Sequence, residues 1–293
     1  MTAIEVTDLK CRYGEHVAVD GVSFAVERGE VFALLGANGA GKTTTVEVLE
    51  GHQAPAGGSV RVLGHDPLRE RRAVRPRVGI MLQSGGFAGE LTVRETAELW
   101  AALGSRLGDV SADLDRLALA RKANVRVEQL SGGEQRRLEV ALAIHGDPEL
   151  LLLDEPTTGL DPESRRRTWE VVSELVAAGT TVLLTTHYLD EAEALADRVA
   201  IMRDGAIAVG GTLGEVAAGV PSRISFQAPA APLPPELAAQ RVDGRIGEIV
   251  IETRALQGDL ARLLAWAEGE QLTLERLCAR NGSLEDVFLE VVA

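Results

Sequence analysis

With 293 residues, 45% of them apolar, the chain is long enough for a main domain of roughly 200 residues and a smaller second unit. Its 30 basic and 44 acidic residues give a formal charge of -14, which excludes a surface that tracks nucleic acid or anionic lipid. Two distant cysteines, Cys11 and Cys278, with no CxxC or histidine cluster, read as reduced thiols of a cytosolic protein and exclude a disulfide or zinc framework.

The N-terminus MTAIEVTDLK lacks the basic-then-apolar order of a secretory signal, and no run of about 18 apolar residues offers a membrane span, so the expected location is the cytoplasm. Residues 4–28 predict antiparallel strands. Within them Val17, Val19, Val22, Phe24 and Val26 alternate around Asp20-Gly21, which predicts a hairpin with its tight turn there. The apolar run from Val31 to Leu35 predicts a strand buried on both faces, followed by a loop at Gly36 and a helix to about Glu50. Further strands are predicted at 59–63, 78–82, 150–153, 181–184 and 199–202, with helices between most of them, hence an α/β fold with a mainly parallel sheet. Residues from about 84 to 146 predict a helical insert. The main domain is expected over 1–210.

Pro221, then Pro232, Pro234 and Pro235, mark a change of texture, and 221–293 predicts a small α+β domain. Its strands are expected at 223–227, 248–253 and 271–276. One helix carries Leu256, Leu260, Leu263, Leu264 and Ala267 on one face, and a last helix is capped by Ser283 with Asp286.

Gly36-Ala37-Asn38-Gly39-Ala40-Gly41-Lys42-Thr43 fits GxxxxGK[ST] between a buried strand and a helix, with Thr44 next in line. Glycines let backbone N–H groups curl around phosphates, Lys42 reaches the terminal ones, and the Thr43 hydroxyl binds Mg2+. The pattern names a nucleoside triphosphate; the NKxD-type sequence of a GTPase is absent. The strand at 150–153 runs into Asp154, for the magnesium shell, and Glu155, for the attacking water. His187 follows an apolar strand and Thr185-Thr186, where it either touches the γ-phosphate and steadies Glu155 or caps the surface. Gln83 is either a neutral contact to magnesium and water or a plain loop residue. Tyr13 either stacks on an adenine ring or packs on the hairpin edge.

In LSGGEQRR, Ser131-Gly132-Gly133-Glu134 is a capping box that starts a helix, which accounts for the acid. Capping does not account for two glycines that each cost up to about 1 kcal/mol relative to alanine. Bare N–H groups at a helix start hold a phosphate. A carboxylate at position 134 repels a triphosphate unless it is turned into the box or paired with Arg136 or Arg137.

Taken in order, Tyr13, the phosphate loop, Gln83, LSGGE, the strand ending in Asp154-Glu155, Thr158-Gly159-Leu160-Asp161 and His187 resemble the nucleotide-binding subunit of an ABC transporter. The resemblance runs from residue 4 to about 210. It implies a RecA-like P-loop NTPase core with an antiparallel β-subdomain and a helical insert. It also implies Gln83 as the Q-loop, His187 as the H-loop, Tyr13 as the adenine-stacking residue and Asp161 as the aspartate that couples two subunits. Ser131, Gly132 and Gly133 are then assigned to the γ-phosphate bound by the opposite subunit, in a homodimer or pseudo-dimer around two ATP. Residues 211–216 and 283–289 look like the ends of the C-terminal extension of drug-exporter ATPases of the daunorubicin-resistance type, which implies export and antibiotic resistance. The permease is expected as a separately encoded integral membrane protein that docks near Gln83, with Phe87, Leu91 and Trp100 as candidate contacts and this chain at the inner face of the membrane. The alternative is a soluble ABC ATPase of DNA repair or translation. The repair type carries a long coiled coil, whereas only about 95 residues separate the phosphate loop from LSGGE here, and the translation type carries two cassettes in one chain.

Overall fold

Two twelve-residue strands, β1 (Thr2–Tyr13) and β2 (His16–Glu27), open the computed structural model, which describes residues 1–81, 86–229, 231–242 and 247–292. The hairpin turn that joins them lies at Gly14-Glu15, not at Asp20-Gly21. Leu9 pairs with Val22 and Lys10 with Asp20, so Gly21, at φ 76°, is the extra residue of a bulge. A tight turn and a bulge both call for a left-handed residue, and the same Asp-Gly serves either. The bulge also shifts the alternation by one place, which brings Val19 and Val22 onto one buried side. β3 (Val31–Gly36) is buried at all six positions and leads to α1 (Lys42–Leu49). β4 (Gly57–Val62) completes an antiparallel sheet of order β2-β1-β4.

The chain continues through α2 (Arg71–Val74) and β5 (Val78–Met81); the expected end of that strand, Leu82, and Gln83 lie outside the described residues. From residue 86 to β6 (Leu150–Asp154) the described regular elements are helical, as predicted: α3 (Val93–Leu103), α4 (Val110–Arg116), α5 (Gly132–Ile144) and short 3-10 turns. Then follow α6 (Pro162–Ala177), β7 (Thr181–Thr186), α7 (Leu189–Leu195), β8 (Arg198–Arg203) and β9 (Ala206–Thr212). The main sheet has the order β5-β6-β7-β3-β8-β9, parallel except for the β9 edge. The side chains of Leu150, Leu151, Leu152 and Leu153 are each fully buried, and each such leucine contributes about 1.5–3 kcal/mol on leaving water. The consequence for function is geometric. β6, β7 and β3 are neighbours, so their carboxyl ends deliver three segments to one rim.

Contacts divide the chain into two units, Met1–Leu213 and Gly214–Val291. The second begins within α8 (Leu213–Ala218) and contains β10 (Ser222–Gln227), α9 (Pro235–Ala238), β11 (Arg241–Val242), β12 (Glu248–Thr253), α10 (Leu256–Gly269), β13 (Cys278–Arg280) and α11 (Leu284–Val292). Its strands form an antiparallel sheet of order β11-β12-β10-β13. The strand expected at 271–276 does not form. Gln271 and Arg276 both adopt positive φ (58° and 54°), which breaks the extended run, and the pairing with β10 falls to Cys278–Arg280 instead. On α10, Leu263 and Ala267 are buried and Leu256 and Leu260 pack on the core, but Leu264, a further 100° around the helix from Leu263, is 47% exposed. The cap of α11 is as predicted: Asp286 N–H donates to Ser283 Oγ (3.2 Å) and Ser283 N–H to Asp286 Oδ2 (3.1 Å). Hydrogen bonds from Arg280, aided by Ser283, hold the Asp286 carboxyl down at about 2.

Candidate active site

The loop after β3 turns into α1 through Gly41, whose φ of 100° and position, with a virtual Cβ 2.5 Å from the Ala18 carbonyl, exclude any side chain. Lys42 is buried (5% exposed), and its Nζ donates to the carbonyls of Gly36 (2.8 Å) and Ala37 (3.2 Å). Burial lowers its pKa, opposed by the charges of Glu155 and Asp154. This loop therefore stores a cation in a site short of contacting negative charge, the electrostatic condition for taking an anion. Asn38 and Gly39 are exposed, Ala40 is buried, and Thr43 and Thr44 are half-buried on the first turn of α1. Tyr13, at the end of β1, has a half-exposed ring and a hydroxyl within hydrogen-bond distance of the Glu47 carboxylate of α1 (2.9 Å) and the Gln53 side-chain amide (2.6 Å). Its ring is thus tethered to the helix that the loop starts.

At the end of β6, Asp154 is 2% exposed and accepts a hydrogen bond from the Thr185 hydroxyl of β7. The next residue, Glu155, leaves the strand in a left-handed conformation, φ 51°, with its N–H donating to the Thr185 carbonyl (3.1 Å). The turn directs the carboxylate to the Thr158 hydroxyl (Oε2, 3.1 Å) and to Nδ1 of His187 (Oε1, 3.2 Å). Glu155 and His187 are therefore in direct contact in the folded chain. The His187 ring lies against that of Tyr188, tilted by 38° with 4.2 Å between ring centres, and the Arg165 guanidinium covers the Tyr188 ring at 4.4 Å. Nearby, Glu50 closes α1 at 3% exposure; burial, then repulsion from Asp154 and Glu47, pushes its carboxyl up to about 8.

The second anion-binding candidate is equally well built. Ser131 Oγ accepts from Glu134 N–H (3.2 Å) and Glu134 Oε2 from Ser131 N–H (2.9 Å), a complete capping box for α5. The remaining carboxylate oxygen pairs with Lys122 at 3.0 Å, not with Arg136 or Arg137. Those two arginines turn inward along α5: Arg136 toward the end of β6, and Arg137 toward the Leu117 carbonyl. The Ser131 N–H, then Lys122, hold the Glu134 carboxyl below its ordinary value. A Cβ on Gly132 would meet nothing within 4 Å, and one on Gly133 would make ordinary contacts with Leu160 at 3.5 Å and the Gly159 carbonyl at 3.8 Å. Neither glycine is required by the packing of its own chain. Gly132→Ala and Gly133→Ala are therefore expected to raise the melting temperature slightly, by at most about 1 kcal/mol of helix stability, while ATP turnover falls. Thermal melts beside ATPase assays check this; unchanged turnover would show that the space serves no approaching group.

The ABC transporter family model matches residues 19–158, and the model for the C-terminal domain of ABC transporter domain-containing proteins matches 222–283. The daunorubicin resistance ATP-binding protein DrrA3 of Streptomyces coeruleorubidus is 46% identical over 222 residues, 74% of this chain and 70% of the relative. The chain belongs to the ABC transporter family. The Nod factor export ATP-binding protein I of Ralstonia nicotianae is 36% identical over 98% of this chain and 93% of its own length. A solved dimeric bacterial ABC transporter cassette superposes with a TM-score of 0.66 at 25% identity, covering 72% of this chain and 98% of the cassette. The chain is thus an ABC ATPase, with the cassette fold that its motif order implied.

Within this ABC ATPase, Gly36 to Thr44, Asp154, Glu155 and His187 are delivered by the neighbouring strands β3, β6 and β7. Asp161 caps α6, accepting from Glu163 N–H (3.0 Å), Ser164 N–H (2.9 Å) and Ser164 Oγ (2.7 Å). That local duty was readable from Asp161-Pro162, an N-cap followed by proline at the first helical position. Sequence reasoning missed Thr185 and Thr158, which hold the two carboxylates, and the tertiary role of Arg136. For Thr185 a signal existed: it stands near the carboxyl end of an apolar strand, beside the strand that ends in the acids.

Proposed function

We propose that the chain is the ATP-binding and hydrolysing subunit of an ABC exporter, which dimerises around two ATP and drives substrate through a separately encoded permease at the inner face of the cell membrane. The dimer is supported most by Gly132 and Gly133, left open by their own chain at a capped helix start, and by the dimeric cassette that the chain resembles. Each ATP then lies between the phosphate loop of one chain and the Ser131-Gly132-Gly133 turn of the other, where bare N–H groups meet the γ-phosphate. Lys42 exchanges its two carbonyl partners for phosphate oxygens, and Tyr13 offers its ring to the adenine. Glu155, steadied by Thr158 and His187, orients the attacking water, and His187 contacts the γ-phosphate.

Thr43 and Asp154 supply the hydroxyl and carboxylate oxygens that suit Mg2+, and Gln83, outside the described residues, completes the proposed set. When bound, the ion neutralises phosphate charge. Asp161, at the cap of α6, is proposed to carry the signal between subunits.

Export rather than another use of ATP is supported by the full-length likeness to an exporter ATPase, which extends through the second unit. Among the described residues no helix is long and apolar enough to cross a membrane, which fits a permease on another chain. A docking surface is available on the helical insert: Leu99 (49% exposed), Trp100 (48%) and Leu103 (77%) on α3, with Leu107 (96%) just beyond it. Phe87 and Leu91 are half-buried beside it in sequence. Coexpressed with a polytopic membrane protein from a neighbouring open reading frame, the chain is expected in the membrane fraction, and Leu103→Asp is expected to release it without lowering its melting temperature. A chain always recovered in the soluble fraction would count against the transporter reading.

A further inference from the structure

One turn after the glycines, α5 sends Arg136 into the chain's own hydrolytic centre. The side chain is buried (8% exposed), and its Nη2 donates to the carbonyls of Asp154 and, at 2.7 Å, of Glu155. Its Nη1 is anchored on Glu139 at 2.6 Å. Those carbonyls flank a left-handed glutamate, a conformation that costs a residue with a Cβ about 1–2 kcal/mol and persists only where the surroundings impose it. Here β7 holds the N–H side of the turn through Thr185, and α5 holds the carbonyl side through Arg136. A guanidinium suits the second task because it is always charged and its planar fork spans adjacent acceptors; an ammonium acts as a point charge.

We propose that Arg136 is a positioning residue for hydrolysis: from the helix whose start faces one phosphate, it fixes the turn that aims Glu155 at the water of the chain's own ATP. The proposal rests on the reading of Glu155 and of the facing dimer given above. In that dimer α5 joins the two ATP sites directly, its first turn touching one nucleotide and its second holding the backbone turn that carries Glu155 for the other.

The test compares the full-length wild type with Arg136→Met, Arg136→Lys and Glu155→Gln, by steady-state ATPase against ATP concentration and by hydrogen exchange of the ATP-free chain. Arg136→Met is expected to lower kcat about tenfold or more with KM for ATP within about threefold, since small misplacement of a reacting group has effects of this size. Amide exchange should rise in the segment 155–160 and remain unchanged in β1 and β2. Arg136→Lys should recover part of kcat and, if the methionine variant does not fold, carries the same test against wild type. A kcat within twofold of wild type, or exchange raised throughout the chain with kcat and KM moving together, overturns the proposal. If Glu155→Gln keeps wild-type turnover, the reading of Glu155 falls and this proposal with it; an inactive Glu155→Gln beside a fully active Arg136→Met overturns the proposal alone.

Discussion

Glu155→Gln is expected to bind ATP as tightly as wild type, to hydrolyse it roughly a hundredfold or more slowly, and to accumulate as a dimer when ATP and Mg2+ are present. The amide oxygen can accept from His187 and the amide NH2 can donate to the Thr158 hydroxyl, in the places of the two carboxylate oxygens that make those contacts now at 3.2 and 3.1 Å, so the turn at φ 51° and the surrounding contacts are preserved. What is lost is the charge proposed to orient and polarise the attacking water. In the proposed dimer, binding depends on the phosphate loop and on the facing glycines, which the substitution leaves alone. The nucleotide-bound dimer therefore forms and is not consumed. Phosphate release and light scattering on the same sample measure the two halves of the expectation. Near wild-type turnover would remove Glu155 from this role.

Lys42→Ala is expected to fail earlier, at binding, with ATP affinity reduced by about a hundredfold, the worth of one or two charge-assisted hydrogen bonds at about 1.5–3 kcal/mol each. The free loop holds this ammonium at 5% exposure against the neutral carbonyls of Gly36 and Ala37, and burial lowers its pKa. A triphosphate supplies the counter-charge that the site lacks. Alanine removes the cation and leaves both carbonyls without their donor. Calorimetric titration with ATP reads the loss; unchanged affinity would sink the phosphate-loop assignment.

The parts of the fold that were legible in the sequence are those in which a local pattern has one solution. β3, β6 and β7 announced themselves because a strand buried on both faces is a short unbroken apolar run. The phosphate loop was legible because its glycines and Lys42 have no cheaper explanation between such a strand and a helix. Asp20-Gly21 misled because a bulge and a turn ask for the same left-handed residue. The alternating 271–276 misled because alternation does not show that Gln271 and Arg276 turn to positive φ, which leaves the ladder with β10 to 278–280. In the site, the capping box at Ser131 and Glu134 was local and readable, whereas the partners of its charged groups were not. Lys122 pairs with Glu134 across the helical region, and Arg136 reaches residues 18 and 19 places away. Such contacts are set by packing of α5 on β6, which no spacing along the chain encodes.

The central claim, that each ATP is shared between the loop of one chain and the glycine turn of the other, is tested most directly by mixing two disabled chains. Glu155→Gln silences a chain's own strand end, and Ser131→Arg fills the turn it offers to its partner. In a mixed dimer one composite site has both defects and the other has none. Mixed before ATP is added, the two variants are predicted to regain turnover far above either alone, up to roughly a quarter of wild type from random pairing. Turnover no greater than the sum of the separate variants would contradict the account and return both halves of the site to a single chain.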